Sequence, residues 1–448
     1  MKTSLKLLST ASVLTLGTGI AAFADGHADA RCAAGELGLG DFAGQTVTIA
    51  GPWEGTDEEL VNNVIDCFET STGATVEYAG SGEFEQLIVT DVRAGSAPNI
   101  AVFPQPGLAA DLAAEGGLVP LKQDIAGWMA ENYGAGQSWA DLGTYADENG
   151  QEQFYAFAYK ADVKSLVWYK PETFEDAGYE VPETMEELIA LSDQIVADGG
   201  TPWCLGIESG GATGWTATDW MEDIMLRTTS PENYDKWVTN DLAFNSDEVK
   251  AAMDVFGSIA KNDAYVAGGA DSVASTFFGD SPKGLFTTPP QCFMHRQASF
   301  IPAFFPDKGE EVSEGEADFF YFPPFASNPD LGKPVLGGGT LWAMTNESDA
   351  THAFFEFLKQ PVAHEIWMAQ TGFLTPHKGV DTSAYANDSL RKMGEILAGA
   401  DTFRFDASDL MPGAIGAGAF WTEMTAFTQG QDTATTADNI QSAWDAIK

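Results

Sequence analysis

Residues 45–107 read "QTVTIAGPWEGTDEELVNNVIDCFETSTGATVEYAGSGEFEQLIVTDVRAGSAPNIAVFPQPG". The pattern predicts strands at QTVTIAG, ATVEYAG and NIAVF, with helices over 57–72, 84–94 and onward from Leu108. That order is βαβαβ, which specifies a parallel sheet with right-handed crossovers. The run Ile100, Ala101, Val102, Phe103 is continuous rather than alternating, as in a strand covered on both faces. Pro104 and Pro106 forbid the strand to continue and hold Gln105 between them. Ligands of open α/β sheets bind beyond the carboxyl ends of strands, so Gln105 is placed either to meet one or simply to make a strand-to-helix turn.

Outward from this core, a second set of elements follows KSLVWYK. A helix opens on the capping box Thr184-Met185-Glu186-Glu187, and strands are expected at WCLGI, KGLFTT and DFFYF. VLGGGTLWAMT reads as a strand whose three glycines admit a close backbone or ligand. Helices are expected at about 348–371 and 384–399, then two more toward the C-terminus. A chain of 448 residues exceeds one core, so two lobes are expected. Their segments are 25–162 with 335–400, and 163–334 with 401–448. A chain that crosses between lobes more than once makes a hinge.

The N-terminus carries Lys2 and Lys6, an apolar stretch from Leu7 to Ile20, and Ala22-Phe23-Ala24, which predicts a signal peptide over 1–24 cleaved after Ala24. Cys32 follows Asp29-Ala30-Arg31 instead of a lipid-attachment box, so a soluble periplasmic protein is expected. No later stretch reaches the roughly 20 apolar residues of a membrane helix. After cleavage 20 basic residues face 66 acids, a net charge of −46. That excludes nucleic acid as a partner and disfavours anionic ligands.

Cys32, Cys67, Cys204 and Cys292 are an even set in an oxidising space, so disulfides are expected rather than a metal or catalytic site. Three pairings are possible; Cys32–Cys67 with Cys204–Cys292 is favoured, because the first would tie the N-terminal tail to an early helix.

Catalytic motifs are missing from the sequence: there is no GxSxG elbow, HExxH or GxxxxGK[ST], and the five histidines are scattered. The different-class alternative is a secreted glycoside hydrolase, which needs only two carboxylates. Against it stands the lack of (β/α)₈ alternation beyond the first lobe.

Several segments together carry a family likeness: AGSAPNIAVFPQPGLAADLAAEGGLVPL, FAYKADVKSLVWYKPETFEDAGYEVPETMEELIAL and GGGTLWAMTNESDATHAFFEFLKQPVAHEIWMAQTGFLTPHK. The chain resembles the extracellular solute-binding proteins of ABC sugar importers. Its C-terminal DLMPGAIGAGAFWTEMTAFTQGQDTATTADNIQSAWDAI is similar to the matching end of maltose-binding proteins. GPWEG, TPWCLGIESGGATGW, CFMHRQASF and FRFDASDLMPG look most like the alpha-glucoside binders.

The resemblance implies a two-lobed, maltose-binding-protein-like α/β fold with a hinge and an interlobe cleft. It also implies no catalysis and no cofactor, with a carbohydrate ligand, permease subunits and, through them, a cytoplasmic ATPase as partners of a monomer. The ligand class is trehalose, sucrose or maltose. The runner-up is a glucosylated compatible solute, a monosaccharide or a polyol.

A sugar presents hydroxyl edges and C–H faces, so planar polar groups and aromatic rings are the candidates. From the first lobe come Trp53 and Glu54 in GPWEG, Ser81 ahead of Glu85, and Gln105; in many relatives an acidic residue lies near this last point. Lys160 precedes the first crossover, with Lys164 as the other option. Trp215 follows a glycine-rich loop, while Trp220 is assigned to the core. Gln291 repeats the setting of Gln105 after Pro289-Pro290, and His295 and Arg296 are read as structural. Gly338 and Gly339 offer backbone groups. Arg404 is one of only six arginines, either gripping hydroxyls or paired with Asp406 or Asp409. Trp421 stands where the maltose binders stack a ring.

Overall fold

The computed structural model describes residues 30–447 apart from 135, 310, 311, 313, 371, 399 and 401. The expected signal peptide lies outside the described residues. The opening βαβαβ forms as the pattern dictates. β1 (Thr46–Gly51) pairs in parallel with β2 (Thr75–Gly80) and with β3 (Ile100–Phe103). The helices Thr56–Thr72, Phe84–Ala94 and Pro106–Ala114 connect and follow these strands. All four residues of β3 are buried, as a two-sided strand requires.

β4 (Thr144–Ala146) and β5 (Glu152–Phe154) make a small ribbon, and β6 (Ala156–Val163) is buried throughout. Beyond it lie β7 (Leu166–Tyr169), β8 (Met294–Arg296) and β9 (Asp318–Tyr321), an antiparallel sheet of order β8-β7-β9. β10 (Val335–Met344) then returns to the first sheet, antiparallel to β3 and to β6, and β11 (Phe403–Phe405) pairs in parallel with its start. The first sheet therefore has the order β11-β10-β3-β1-β2 with β6 on the other edge of β10. The chain passes between the two sheets three times, from β6 to β7, from β9 to β10, and after β11. Two lobes joined by such crossings form a hinge around a cleft.

The buried side chains form two hydrophobic clusters, the first centred on the first sheet but reaching Leu166 and Trp168 of β7, the second in the other lobe and reaching Leu336 of β10. In the first, Trp53, Trp342, Trp367, Phe68 and Phe354 interlock. In the second, Trp203, Trp220, Phe256 and Phe322 do so around the helix Trp215–Thr228. Both favoured disulfides are present, Cys32–Cys67 and Cys204–Cys292. The capping box at Thr184 is made in full, with Glu187 N–H donating to the threonine hydroxyl and the Glu187 carboxylate returning to the Thr184 N–H.

Three expectations are corrected. WCLGI is not a strand; Trp203 makes only single bridges to Val266 and Met294. KGLFTT is not a strand: Lys283–Phe286 end a 3₁₀ segment, Ser281–Phe286, that carries Pro282 in its first turn, and Thr287 and Thr288 lead out of it toward two further prolines. The long helix expected at 348–371 divides into Asp349–Leu358 and Pro361–Met368, because Pro361 lacks the N–H that continuation needs and forces Gln360 out of the helical region.

Candidate functional site

Where the lobes face each other, two clusters of side chains meet. The first gathers around Lys160 on β6. Its Nζ donates to both carboxylate oxygens of Asp162, at 2.8 and 3.1 Å, and lies 5.3 Å from the Phe300 ring of the other lobe. Asp57, in the first turn of the helix after GPWEG, completes the group. Burial raises its pKa, Lys160 opposes the rise, and Asp162 adds to it. The second-lobe wall here is aromatic, since Trp215 packs edge-on against Phe278 at 5.1 Å and tilts over Phe300 at 6.0 Å.

The second cluster contains Gln105. Its Nε2 donates to Glu85 Oε1 at 3.2 Å, while its own Oε1 is buried with no partner among the described residues. Burial raises the pKa of Glu85, and the Gln105 hydrogen bond opposes the rise. Across the gap stands Trp421, whose indole N–H is likewise buried and unpartnered. A π-helical turn, Ala414–Phe420, leads directly into it.

Glu85 and Trp421 line one interlobe cavity of about 630 Å³, with Leu108, Asp111, Gly211 and Gly413 among its other walls. That volume falls in the range of small-molecule sites. The loop before Trp215 rests on Trp421, since a Cβ at Gly214, whose φ is +113°, would collide with the Trp421 carbonyl. The backbone of Trp421 therefore lies directly against the loop that leads to Trp215.

The remaining candidates take varied places. Trp53 is almost entirely buried against Tyr78, Trp342 and Trp367, whereas Glu54 beside it is exposed. Ser81 Oγ accepts the Glu83 N–H at 3.1 Å in the turn leading to the Phe84–Ala94 helix. Gly338 and Gly339 permit close approach by the protein itself. A Cβ at Gly338 would stand 2.8 Å from the Lys164 stem, and one at Gly339 would collide with the Lys160 carbonyl.

Gln291 is exposed beside the Cys204–Cys292 bridge, its N–H held by Thr287 and Gly284. Arg404 forks onto Asp235 at 2.6 and 2.9 Å, a partner different from Asp406 and Asp409. His295 and Arg296 are buried in β8, where His295 Nδ1 faces the Cys204 carbonyl at 2.8 Å and Arg296 reaches Asp223 at 2.9 Å.

Sequence reasoning passed over Asp57, Asp162 and Phe300. Asp162 carries a local signal, two residues from Lys160 on one strand and hence on the same face. Phe300 carries none, because only lobe packing brings it to Lys160.

A two-lobed α/β fold with three crossovers and a polar and aromatic interlobe cleft defines a solute receptor. The chain belongs to the bacterial extracellular solute-binding proteins, which it matches over residues 63–392. It is 58% identical to the alpha-glucosides-binding periplasmic protein AglE of Rhizobium meliloti, over 91% of this chain and 89% of that protein. It is 43% identical to the osmoprotective compounds-binding protein GgtB of Synechocystis sp., over 90% of this chain and 94% of that one. Among solved structures, the bacterial solute receptor AcbH superposes with a TM-score of 0.77 at 18% identity, covering 90% of this chain and 99% of the other. These relatives are binding proteins.

Proposed function

We propose that this protein is the periplasmic substrate-binding component of an ABC importer, and that its ligand is an alpha-glucoside of the trehalose, sucrose or maltose class. The observation that carries the reading is the composition of the cleft. Its first-lobe wall supplies an amide, carboxylates and an ammonium group at Gln105, Glu85, Asp57, Asp162 and Lys160, and its second-lobe wall supplies rings at Trp215, Phe300 and Trp421. The first kind of group matches hydroxyl edges and the second matches C–H faces.

The unpartnered Gln105 acceptor and Trp421 donor are poised for hydroxyls that would satisfy them. A site built this way rejects an analogue lacking a hydroxyl, because its own polar groups would then stay buried and unpaired. The carboxylates disfavour anionic sugars. The identity to the alpha-glucosides-binding relative supports the class, and the osmoprotective-compound relative favours a glucosylated compatible solute as the second reading. Ligand closes the lobes, and the closed form is what the permease subunits engage, without covalent chemistry.

A thermal-shift panel on residues 25–448 with trehalose, sucrose, maltose, glucosylglycerol, glucose and sorbitol tests this. A ligand at about 100 times its Kd stabilises the native state by roughly 2.7 kcal/mol. One glucoside is expected to shift the melt, to be recovered intact, and to lose its effect with W421A. A panel without any shift removes the alpha-glucoside reading, and a cleaved sugar removes the non-enzymatic one.

A further inference from the structure

All three crossovers converge on one buried polar cluster against the helix Trp215–Thr228, whose Asp219, Glu222, Asp223 and Arg227 lie at helical spacing on one side. The first crossover, between β6 and β7, contributes Lys164 and Ser165. Lys164 Nζ donates to Asp219 at 2.8 Å and to Asp406, and the Ser165 hydroxyl donates to Asp223 at 2.8 Å. The second, between β9 and β10, is held by Arg227, which donates to the carbonyls of Phe322, Pro323 and Pro334. Leu336 N–H also binds Ser165 Oγ there, at 2.9 Å. The third follows β11, where Asp406 N–H binds the Gly337 carbonyl and Ser408 N–H donates to Glu222 Oε1 at 2.9 Å. Lys164 connects the cluster to the cleft, with its Nζ 5.5 Å from the Trp215 ring.

The charges in this cluster do not balance as written. Among the described residues, three cations, Lys164, Arg227 and Arg296, meet five carboxylates, all of them buried. Three carboxylates have cation partners. Asp406 has Lys164; Asp223 has Arg227 and Arg296; Asp219 has Lys164 at 2.8 Å and Arg296 at 3.8 Å. Glu222 and Asp409 form no ion pair among the described residues, and Glu222 Oε2 accepts no hydrogen bond. Two unpaired buried charges, Glu222 wholly enclosed and Asp409 at 8% exposure, would cost more than two protons.

We propose that the hinge cluster retains two protons at neutral pH, one on Glu222 and one on Asp409, which makes it an alkali-sensitive clamp on the three crossovers. The groups facing Glu222 are Asp406, Asp219, Lys164 and the Tyr234 phenol, and those facing Asp409 are Asp406, Lys164, Asp219 and Glu85. Burial raises both acids well above the carboxylate range and Asp406 adds to the rise, whereas Lys164 and neighbouring hydrogen-bond donors hold Asp406 itself low against burial. Burial raises Asp219 as well and Asp406 adds to the rise, while Lys164 and Arg296, with which it forms ion pairs, oppose it. Asp406, whose carboxylate lies within 4.8 Å of that of Glu222 and which is its hydrogen-bond partner, is the acceptor for the Glu222 proton.

Glu222→Gln separates the alternatives, because an amide reproduces a protonated carboxyl: its oxygen still accepts from Ser408 and its N–H still donates to Asp406. Melting of ligand-free wild type, E222Q and D409N is followed from neutral pH to about pH 9.5. Wild type is expected to lose stability as pH rises, each variant to lose less per pH unit, and E222Q to melt no lower than wild type at neutral pH. A destabilised E222Q with the wild-type pH slope overturns the proposal. Infrared spectra of the wild-type chain at neutral pH decide the matter even if the variants do not fold. A protonated-carboxyl C=O band is expected, reduced in each folded variant, and its absence from the wild type overturns the proposal.

Discussion

Removing the Cys204–Cys292 bridge through C204A/C292A is expected to destabilise the second lobe by an amount set by loop length. The bridge closes 88 residues, and the chain-entropy relation gives about 15 cal/mol/K, or about 4.6 kcal/mol at 25 °C. Cys32–Cys67 closes 35 residues and the same relation gives about 3.8 kcal/mol. Alanine is the right replacement, because both second-lobe cysteines are buried and serine would add a hydroxyl in need of a partner. Urea unfolding of both double variants, followed by circular dichroism and extrapolated linearly to water, measures the losses. A loss below about 1.5 kcal/mol for C204A/C292A, or a larger loss for C32A/C67A, refutes the entropic reasoning.

Further outcomes follow from single side chains. Arg404 and Asp235 form a surface pair, so R404A is expected to cost at most about 1 kcal/mol and to leave sugar affinity unchanged by calorimetry; a tenfold loss of affinity would place Arg404 in the ligand site. Burial lowers His364 to about 3 and His295 to about 4, with His377 adding to the effect on His364 and Arg296 to that on His295. The unfolded chain therefore takes up these protons first. Their contribution is complete above about pH 6.5 and is lost on acidification toward the folded values, by about 1.4 kcal/mol per pH unit for each histidine. Over about pH 7 to 4.5 the protons retained on Glu222 and Asp409 contribute the opposite slope, so the difference between the melting curves of the two proteins is the readout: H364Q should lose less stability on acidification than the wild type by one proton's share, and equal slopes would refute the assignment.

Where a signal depends on neighbours in the chain, it was legible. The run Ile100–Phe103 announced a strand buried on both faces, and Thr184 with Glu187 announced a helix start that forms as written. Local reading failed where tertiary contacts override propensity. WCLGI has the composition of a strand, yet among the described residues around it Trp203 makes isolated bridges to Val266 and Met294 and Glu208 one to Phe277, with no continuous ladder. Arg404 was weighed against Asp406 and Asp409, its neighbours in sequence, but its partner Asp235 comes from a helix 169 residues away.

The sequence by itself determined the parallel βαβαβ start, the acidic charge, the even cysteine set and the family, because periodicity, composition and motif are properties of adjacent residues. Tertiary structure alone decided which side chains share the cleft. Lys160 meets Phe300, and Glu85, which holds Gln105, shares a cavity with Trp421, only because the chain returns through β10 and β11 and sets one lobe against the other. The same packing gathers three cations and five carboxylates at the crossovers. Charges that solvent would screen along an extended chain must there be paired or neutralised, since burial removes the water that would otherwise stabilise them.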